Sequence, residues 1–214
     1  MDKAISPKLA YDLPHFPVTK DAPSATHDVT FTNAVITNYS GSKLLPQVIF
    51  TCEHSSNALP SGYKWSLSDQ KNFQNTHWAI DIGALKLGLS LSSDLETSIC
   101  WAKYSRLLCD VNRTPGMSTM FRKMGDGLKV ELNMGTGYKG GLSIEERNHR
   151  LTEYWFGYWM GVRKLLKVWH KHHTQSKEPR NPQTRYVFSI HSYTPIYEGE
   201  VRELQVGILC SHYP

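Results

Sequence analysis

Two apolar, β-favouring runs in this chain each deliver a histidine at the carboxyl end, and they limit what it can fold into more than any other feature. The first is Val48-Ile-Phe-Thr-Cys-Glu-His54, followed by Ser-Ser-Asn and, shortly after, Pro60. The second is Tyr186-Val-Phe-Ser-Ile-His191, followed by Ser-Tyr-Thr-Pro195. Proline cannot continue a central strand, so each run reads as a buried strand that ends near its His and turns. In open α/β sheets, ligands sit beyond the carboxyl edge of the strands. Neutral imidazole is also the commonest metal ligand. The two runs together predict one metal site, with zinc as the ion, between two strand ends.

The rest of the chain supplies a frame for such a sheet. Residues 1–27 contain Pro7, Pro14, Pro17 and Pro23 and read as an irregular N-terminal arm. Residues 28–214 read as a single domain without internal repeat or linker. Val29 to Thr37 alternates weakly, as an edge strand would, and the first strong strand is Gln47 to Glu53. Ser66 or Ser68 can cap a short polar helix. A longer helix is predicted from about Ile80 to Leu95, with Ile80, Ala84, Leu87, Leu91 and Leu95 on its apolar face and Asp81 in its first turn. Thr97 to Ala102 and Ser105 to Cys109 read as strands. The glycine-rich stretch 114–142 reads as long loops, which in compact domains often carry function. Ser143 and Glu146 form a capping box that opens a helix to about His170, with Leu151, Trp155, Tyr158, Trp159, Val162, Leu165, Leu166 and Trp169 on one face. A last strand is predicted from Leu204 to Cys210. This alternation of strands and helices argues an α/β fold, a mixed and largely parallel sheet flanked by helices.

Composition narrows the function classes. A chain of 214 residues with 40% hydrophobic and 20% charged residues can bury a sizeable core. The net charge of +5 is modest for this length and suits anionic substrates. No aromatic–basic motif supports nucleic acid as a partner. No apolar run is long enough for a bilayer, and the N-terminus has no secretory signature, so no membrane partner and a cytoplasmic location are expected. Cys52, Cys100, Cys109 and Cys210 form no Cys-x-x-Cys pair and read as reduced core residues. The composition sets no oligomeric state.

A catalytic zinc takes three protein ligands and keeps one position open. His54 and His191 supply two. Asp81 is the best third ligand, with Asn57 and Glu53 as competitors. Asp110-Val-Asn-Arg113 places a polar cluster at a strand end, where Arg113 and Asn112 suit a carboxylate or an oxyanion; a structural Asp–Arg pair closing a turn is the plainer reading of Asp110. Arg106 needs a partner if buried, and Arg202 follows the His191 turn and can face the same cleft. His170, His172 and His173 sit at a basic helix end and read as a solvated face. Ser55, Ser105 and Ser192 lack the setting of a serine nucleophile.

As a set, Cys-Glu-His-Ser-Ser-Asn, Trp-Ala-Ile-Asp-Ile-Gly-Ala, Tyr-Ser-Arg-Leu-Leu-Cys-Asp-Val-Asn-Arg and Ile-His-Ser-Tyr-Thr-Pro resemble the N-formylglutamate amidohydrolase family, from about residue 45 onward. That family is similar in fold to the zinc carboxypeptidases. The resemblance implies His54, Asp81 and His191 as ligands of one zinc ion. It implies Asn112 and Arg113 as substrate-binding residues, with Arg106 and Arg202 as further basic candidates. It implies hydrolysis of the N-formyl amide of an acidic amino acid such as N-formyl-L-glutamate, a small-molecule N-acyl amino acid substrate. Arg113 or Arg106 would then steady the substrate carboxylate or the oxyanion, and Glu53 would carry the proton from water to the leaving amine. Two departures stand out. Asn57 occupies the place of a glutamate in the carboxypeptidase His-x-x-Glu motif, and no residue matches the late general-base glutamate, so the domain reads as incomplete at its C-terminus. The competing expectation is a hydrolase-like protein that binds a metal, ligand or partner without turnover.

Overall fold

The computed structural model describes residues 29–31, 33–37, 48–174, 186–197 and 200–209. The predicted N-terminal arm, Cys210 and the Pro-rich connection at 177–183 lie outside them, as do the side chains of His170, His172 and His173. The centre is a five-stranded sheet of β1 (Val29–Phe31), β2 (Ala34–Thr37), β3 (Val48–Cys52), β4 (Ile99–Ala102) and β7 (Tyr186–Ser189), in the order β1-β2-β4-β3-β7. β3 runs parallel to both β4 and β7, whereas β2 is antiparallel to β4 and to β1. The fold is α/β, with a mixed sheet whose centre is parallel. Two small hairpins, β5–β6 (Met124–Gly125, Leu128–Lys129) and β8–β9 (Ile196–Tyr197, Glu200–Val201), lie outside this sheet.

Alternation along the strands divides the core between two faces. Ile36, Ile49, Cys100 and Ala102 pack against Tyr158, Val162 and Leu165 of helix α4 (Gly157–Thr174). On the other face, α2 (Ala84–Asp94) lies so close that a Cβ on Gly88 would meet Ile99 Cδ1 at 2.8 Å. The short α1 (Leu67–Asn72) is capped by Ser66, whose hydroxyl accepts the Asp69 N–H. Its Asp69 carboxylate in turn accepts the N–H groups of Glu131 and Leu132 and so pins the glycine-rich loops. Cys52, Cys100 and Cys109 are buried free thiols, and burial pushes each up to about 12. Among the described residues, no helix is long and apolar enough to cross a membrane.

Several local expectations need correction. Strand β7, expected to be buried, is exposed at all four positions, because among the described strands it pairs with β3 alone. Val29–Thr37 is a hairpin rather than one strand. It breaks at Asn33, whose buried side chain donates to Tyr154 O and accepts the N–H groups of Lys103 and Tyr104. Helix α2 begins at Ala84, not Ile80, because Gly83 takes a left-handed φ of 83° and the Asp81 N–H is already bonded to His54 O. Its buried face is Ala84, Gly88 and Ser92, while Leu87 and Leu95 are exposed; close packing on the sheet selects small residues over the leucine stripe. Ser105–Cys109 is a buried turn, with the Ser105 hydroxyl donating to Ala79 O. Residues 204–209 form no strand and are exposed. The helix opened by Ser143 is α3 (Ile144–Arg150), which passes through a π-helical turn at Leu151–Phe156 into α4. Only half of its capping box forms: Ser143 accepts the Glu146 N–H, while the Glu146 carboxylate goes to Tyr63 and Arg150.

Candidate metal centre

Strands β3 and β7 are adjacent, parallel and in register from Val48↔Tyr186 to Thr51↔Ser189. Both therefore run out at the same edge of the sheet, which brings His54 and His191 together with ring centroids 5.0 Å apart. The turn before α2 is tied to the end of β3 by the bond from the Asp81 N–H to His54 O, 2.9 Å. That bond places the Asp81 carboxylate between the two imidazoles. Ligand atoms of His54, Asp81 and His191 all lie within 4.8 Å of one another.

Each imidazole meets a carboxylate on the side away from this cluster. His54 Nε2 donates to Asp110 Oδ1 at 2.8 Å, and the pair is almost completely buried. A carboxylate accepts only, so this bond fixes the proton on Nε2 and leaves the Nδ1 lone pair facing Asp81 Oδ2, 3.5 Å away. His54 Nδ1 is buried without a hydrogen-bond partner. On the other ring, His191 Nδ1 lies 2.8 Å from Asp81 Oδ2, and Nε2 lies 3.3 Å from Glu53 Oε2 and 2.9 Å from Ser189 Oγ. Metal-ligating histidines commonly carry such an outer carboxylate, which sets the tautomer and raises ligand basicity.

The charges at the cluster are tightly coupled. For His191, burial alone would depress the imidazole, but bonds to Asp81 and Glu53 outweigh it and raise the group to about 9. Burial likewise opposes ionisation of Glu53, and the bonds from His191, Ser189 and Thr51 overcome it, holding the carboxyl at about 2. Asp81 and Asp110 are also held well below the usual carboxylate range. In both, burial is outweighed by histidine hydrogen bonds and by the charge of Arg106. Arg106 bridges the two, with NH1 3.4 Å from Asp81 Oδ1 and NH2 3.1 Å from Asp110 Oδ2.

Most of the residues singled out in the sequence converge here. The Asn112 amide lies 3.5 Å from His191 Nε2. Arg113 Nε is buried without a hydrogen-bond partner, 3.8 Å from Asp110 Oδ2, while the side chain as a whole is about one-third exposed. Two open clefts flank the Asp81 turn, of about 380 Å³ beside Ser55, Asp81 and Lys86 and about 440 Å³ beside His77, Ile82 and Ser192–Pro195, room enough for a small molecule. The Asn57 amide nitrogen donates to Gln74 O and Asn75 Oδ1. Arg202 lies over the Tyr193 ring, 5.4 Å from its centroid, in the loop that follows His191.

Glu53 is the residue whose placement departs most from expectation. It is only 4% exposed, Oε1 accepts from the Tyr158 hydroxyl at 3.0 Å, and Oε2 accepts from Ser189 Oγ at 2.5 Å. A carboxylate so engaged, and so acidic, is poorly set to accept a proton from water. The neighbours that hold Glu53 and the 110–113 loop were legible only as core. Tyr158 and the indoles of Trp155 and Trp159 fall in one helical stripe, and their polar tips carry no sequence signal.

The donor set itself fits zinc, with two imidazoles and a carboxylate converging and one imidazole nitrogen orphaned in a buried setting. Compared with protein families, residues 46–212 match the model described as N-formylglutamate amidohydrolase. Among solved structures, the crystal structure of gene product Atu2144 from Agrobacterium tumefaciens is similar in fold, with a TM-score of 0.65 and 24% identity. The match covers 80% of this chain and 61% of that one, so the chain spans about three-fifths of that protein's length. No curated protein matches the chain significantly.

Proposed function

Because the chain belongs to the N-formylglutamate amidohydrolase family, we propose that it is a metal-dependent amidohydrolase acting on an N-formylated acidic amino acid such as N-formyl-L-glutamate. Water adds across the amide, giving formate and the free amino acid. The observation that carries the reading is the orphaned, buried His54 Nδ1 turned towards Asp81 beside His191. His54, Asp81 and His191 would hold one zinc ion, which supplies Lewis-acid polarisation of the formyl carbonyl and acidifies a water.

The chain's own groups divide the remaining work. Asp110 holds His54 in the tautomer that offers Nδ1, and Glu53 and Ser189 orient His191. We therefore assign Glu53 an orienting role in place of the proton carrier expected from the sequence. Arg113 keeps an exposed face beyond its contact with Asp110 and can take a substrate carboxylate there, and Asn112 beside it suits the amide. Arg106 is already shared between two carboxylates and serves the charge balance of the centre.

One observation favours binding without turnover as the second reading. Glu53, Asp81 and Asp110 each have both oxygens engaged by hydroxyls, histidines or Arg106, which leaves none of the three as an evident base. The deciding experiment pairs zinc analysis of the purified protein with formate release from N-formyl-L-glutamate. One zinc per chain with formate release establishes the hydrolase. One zinc with substrate binding but no formate establishes the binding protein, and a chain that takes up no zinc refutes the metal-dependent hydrolase.

A further inference from the structure

Two indoles on the helix behind the site hold the backbone from which Asn112 and Arg113 project. Trp155 Nε1 donates to Arg113 O at 2.8 Å, and Trp159 Nε1 donates to Val111 O at 3.0 Å. The two residues are four apart, and their rings meet on one helix face, tilted by 46° with centroids 6.0 Å apart. Trp155 belongs to the π-helical turn and Trp159 to the first turn of α4. The segment they grip is otherwise fixed mostly at its Asp110 end, where the Asp110 N–H donates to Met120 O and the Asn112 N–H to Asp110 Oδ1. The Arg113 N–H also folds back on Asp110 O. Beyond that point the carbonyls of Val111 and Arg113 are held by the indoles, and Val111 is buried, so water cannot readily replace the lost donor.

We propose that Trp155 and Trp159 are positioning residues that clamp the 110–113 turn through their indole N–H groups and so fix Asn112 and Arg113 for the substrate carboxylate and amide. This rests on the functional reading above. It separates two jobs within one turn. Asp110 serves the metal-binding imidazole and has its own anchor on Met120, whereas the indole bonds serve the substrate-facing side chains. Loss of the indole bonds should therefore weaken substrate binding and spare the metal site.

The test uses W155F, W159F and the double variant in the zinc-loaded full chain, since phenylalanine keeps a ring and removes only the donor and part of the area. Measured are zinc affinity, the Kd for N-formyl-L-glutamate by calorimetry, kcat, KM and the melting temperature. Each single variant is expected to raise Kd and KM by about three- to tenfold, the equilibrium factor of one part-buried hydrogen bond. Zinc affinity is expected to stay within about twofold and kcat to change less than KM. Unchanged Kd and KM with a lowered melting temperature would show the indoles to be packing alone and would overturn the proposal. A parallel loss of zinc would also overturn it, by assigning them to the ligand shell. A wild-type chain that binds zinc but no N-formyl-L-glutamate would instead fail the functional reading, and this proposal with it. Should the double variant not fold, W159F carries the test, because its ring is 37% exposed and its loss leaves little void.

Discussion

Replacing Asp110 by Asn isolates the logic of the metal centre, because the side chain keeps its size and loses only charge and one acceptor. In the native protein, Oδ1 accepts from His54 Nε2 at 2.8 Å and from the Asn112 N–H at 3.0 Å, while Oδ2 accepts from Arg106 at 3.1 Å. An amide cannot satisfy both sides. If its oxygen faces His54, its NH2 opposes the Arg106 guanidinium, donor against donor. If it flips, the NH2 faces His54 Nε2, and the imidazole must carry its proton on Nδ1, the atom turned towards the cluster. The first outcome leaves a half-buried guanidinium with one carboxylate, Asp81. The second removes a ligand lone pair. Loss of such an outer carboxylate costs about 10- to 100-fold in metal affinity, or about 1.4–2.7 kcal/mol. One charge-assisted hydrogen bond lost from the metal-free fold costs about 1.5–3 kcal/mol, which for a domain of this size lowers the melting temperature by about 3–12 °C. Zinc affinity is read by competition with a chromophoric chelator and stability by thermal melts of the metal-free protein. If D110N bound zinc within about twofold of the native protein, His54 would not be a ligand through Nδ1, and the tautomer argument would be wrong.

The elevated imidazole of His191, at about 9, means that zinc uptake at pH 7.5 must displace about one proton. Calorimetry in buffers of different ionisation enthalpy measures this, and zero displacement would show that His191 is neutral or not a ligand. The sign for the metal-free fold follows from the same group. A pKa raised above the usual imidazole value of 6.5 contributes stability that is full below about pH 6.5 and is lost as pH rises through about 9. His191→Gln should therefore flatten the melting temperature of the metal-free protein between pH 7 and 10; an equal slope in both proteins refutes the assignment. Y158F leaves the buried Glu53 Oε1 without its donor and should cost about 1–3 kcal/mol in urea unfolding, with a change below about 0.5 kcal/mol counting against it. Finally, among the described strands β7 pairs only with β3, and Tyr186, Val187 and Phe188 are all at least 40% exposed. Such an edge invites association, so Val187→Lys should reduce concentration-dependent light scattering, and an unchanged profile would locate the association elsewhere.

The parts of the fold that were legible in the sequence are those in which local pattern and burial agree. Strand β3, the Ser66 and Ser143 caps and the long glycine-rich loops follow from residue type alone, whereas β7 is a strand as its residues suggest but is exposed where its apolar run predicts burial. The meeting of His54 and His191 was legible for a different reason. Two strands of one parallel pair that each end in His must place those rings at one edge, whatever the rest of the sheet does. Helix α2 misled because its leucines keep helical spacing, yet the sheet approaches too closely for them and takes Ala84, Gly88 and Ser92 instead. Ser105–Cys109 misled because an apolar run can be buried in a turn once a side chain such as that of Ser105 satisfies the backbone. The orienting shell was hidden more deeply. Asp110 looked like a turn-closing partner for an arginine, which it also is, and Tyr158, Trp155 and Trp159 looked like core. Only tertiary structure reveals which carbonyl or carboxylate lies at the polar tip of a buried ring.

The balance of charge at this centre connects its metal-free and metal-bound forms. Without metal, the carboxylates of Glu53, Asp81 and Asp110 are met by the guanidiniums of Arg106 and Arg113 and by a protonated His191, so the cluster is close to neutral although most of it is buried. Neutrality is what allows three carboxylates to stay ionised so far from water. A divalent ion that displaced the His191 proton would leave the cluster one charge positive. That surplus would lie beside Arg113, whose side chain is about one-third exposed. An anionic substrate restores the balance, whereas a neutral amide of the same size does not. If the proposed function holds, electrostatics of the loaded centre would favour acidic N-acyl amino acids over neutral ones before any side-chain pocket is considered, and added salt should narrow that preference in proportion to the exposure of Arg113.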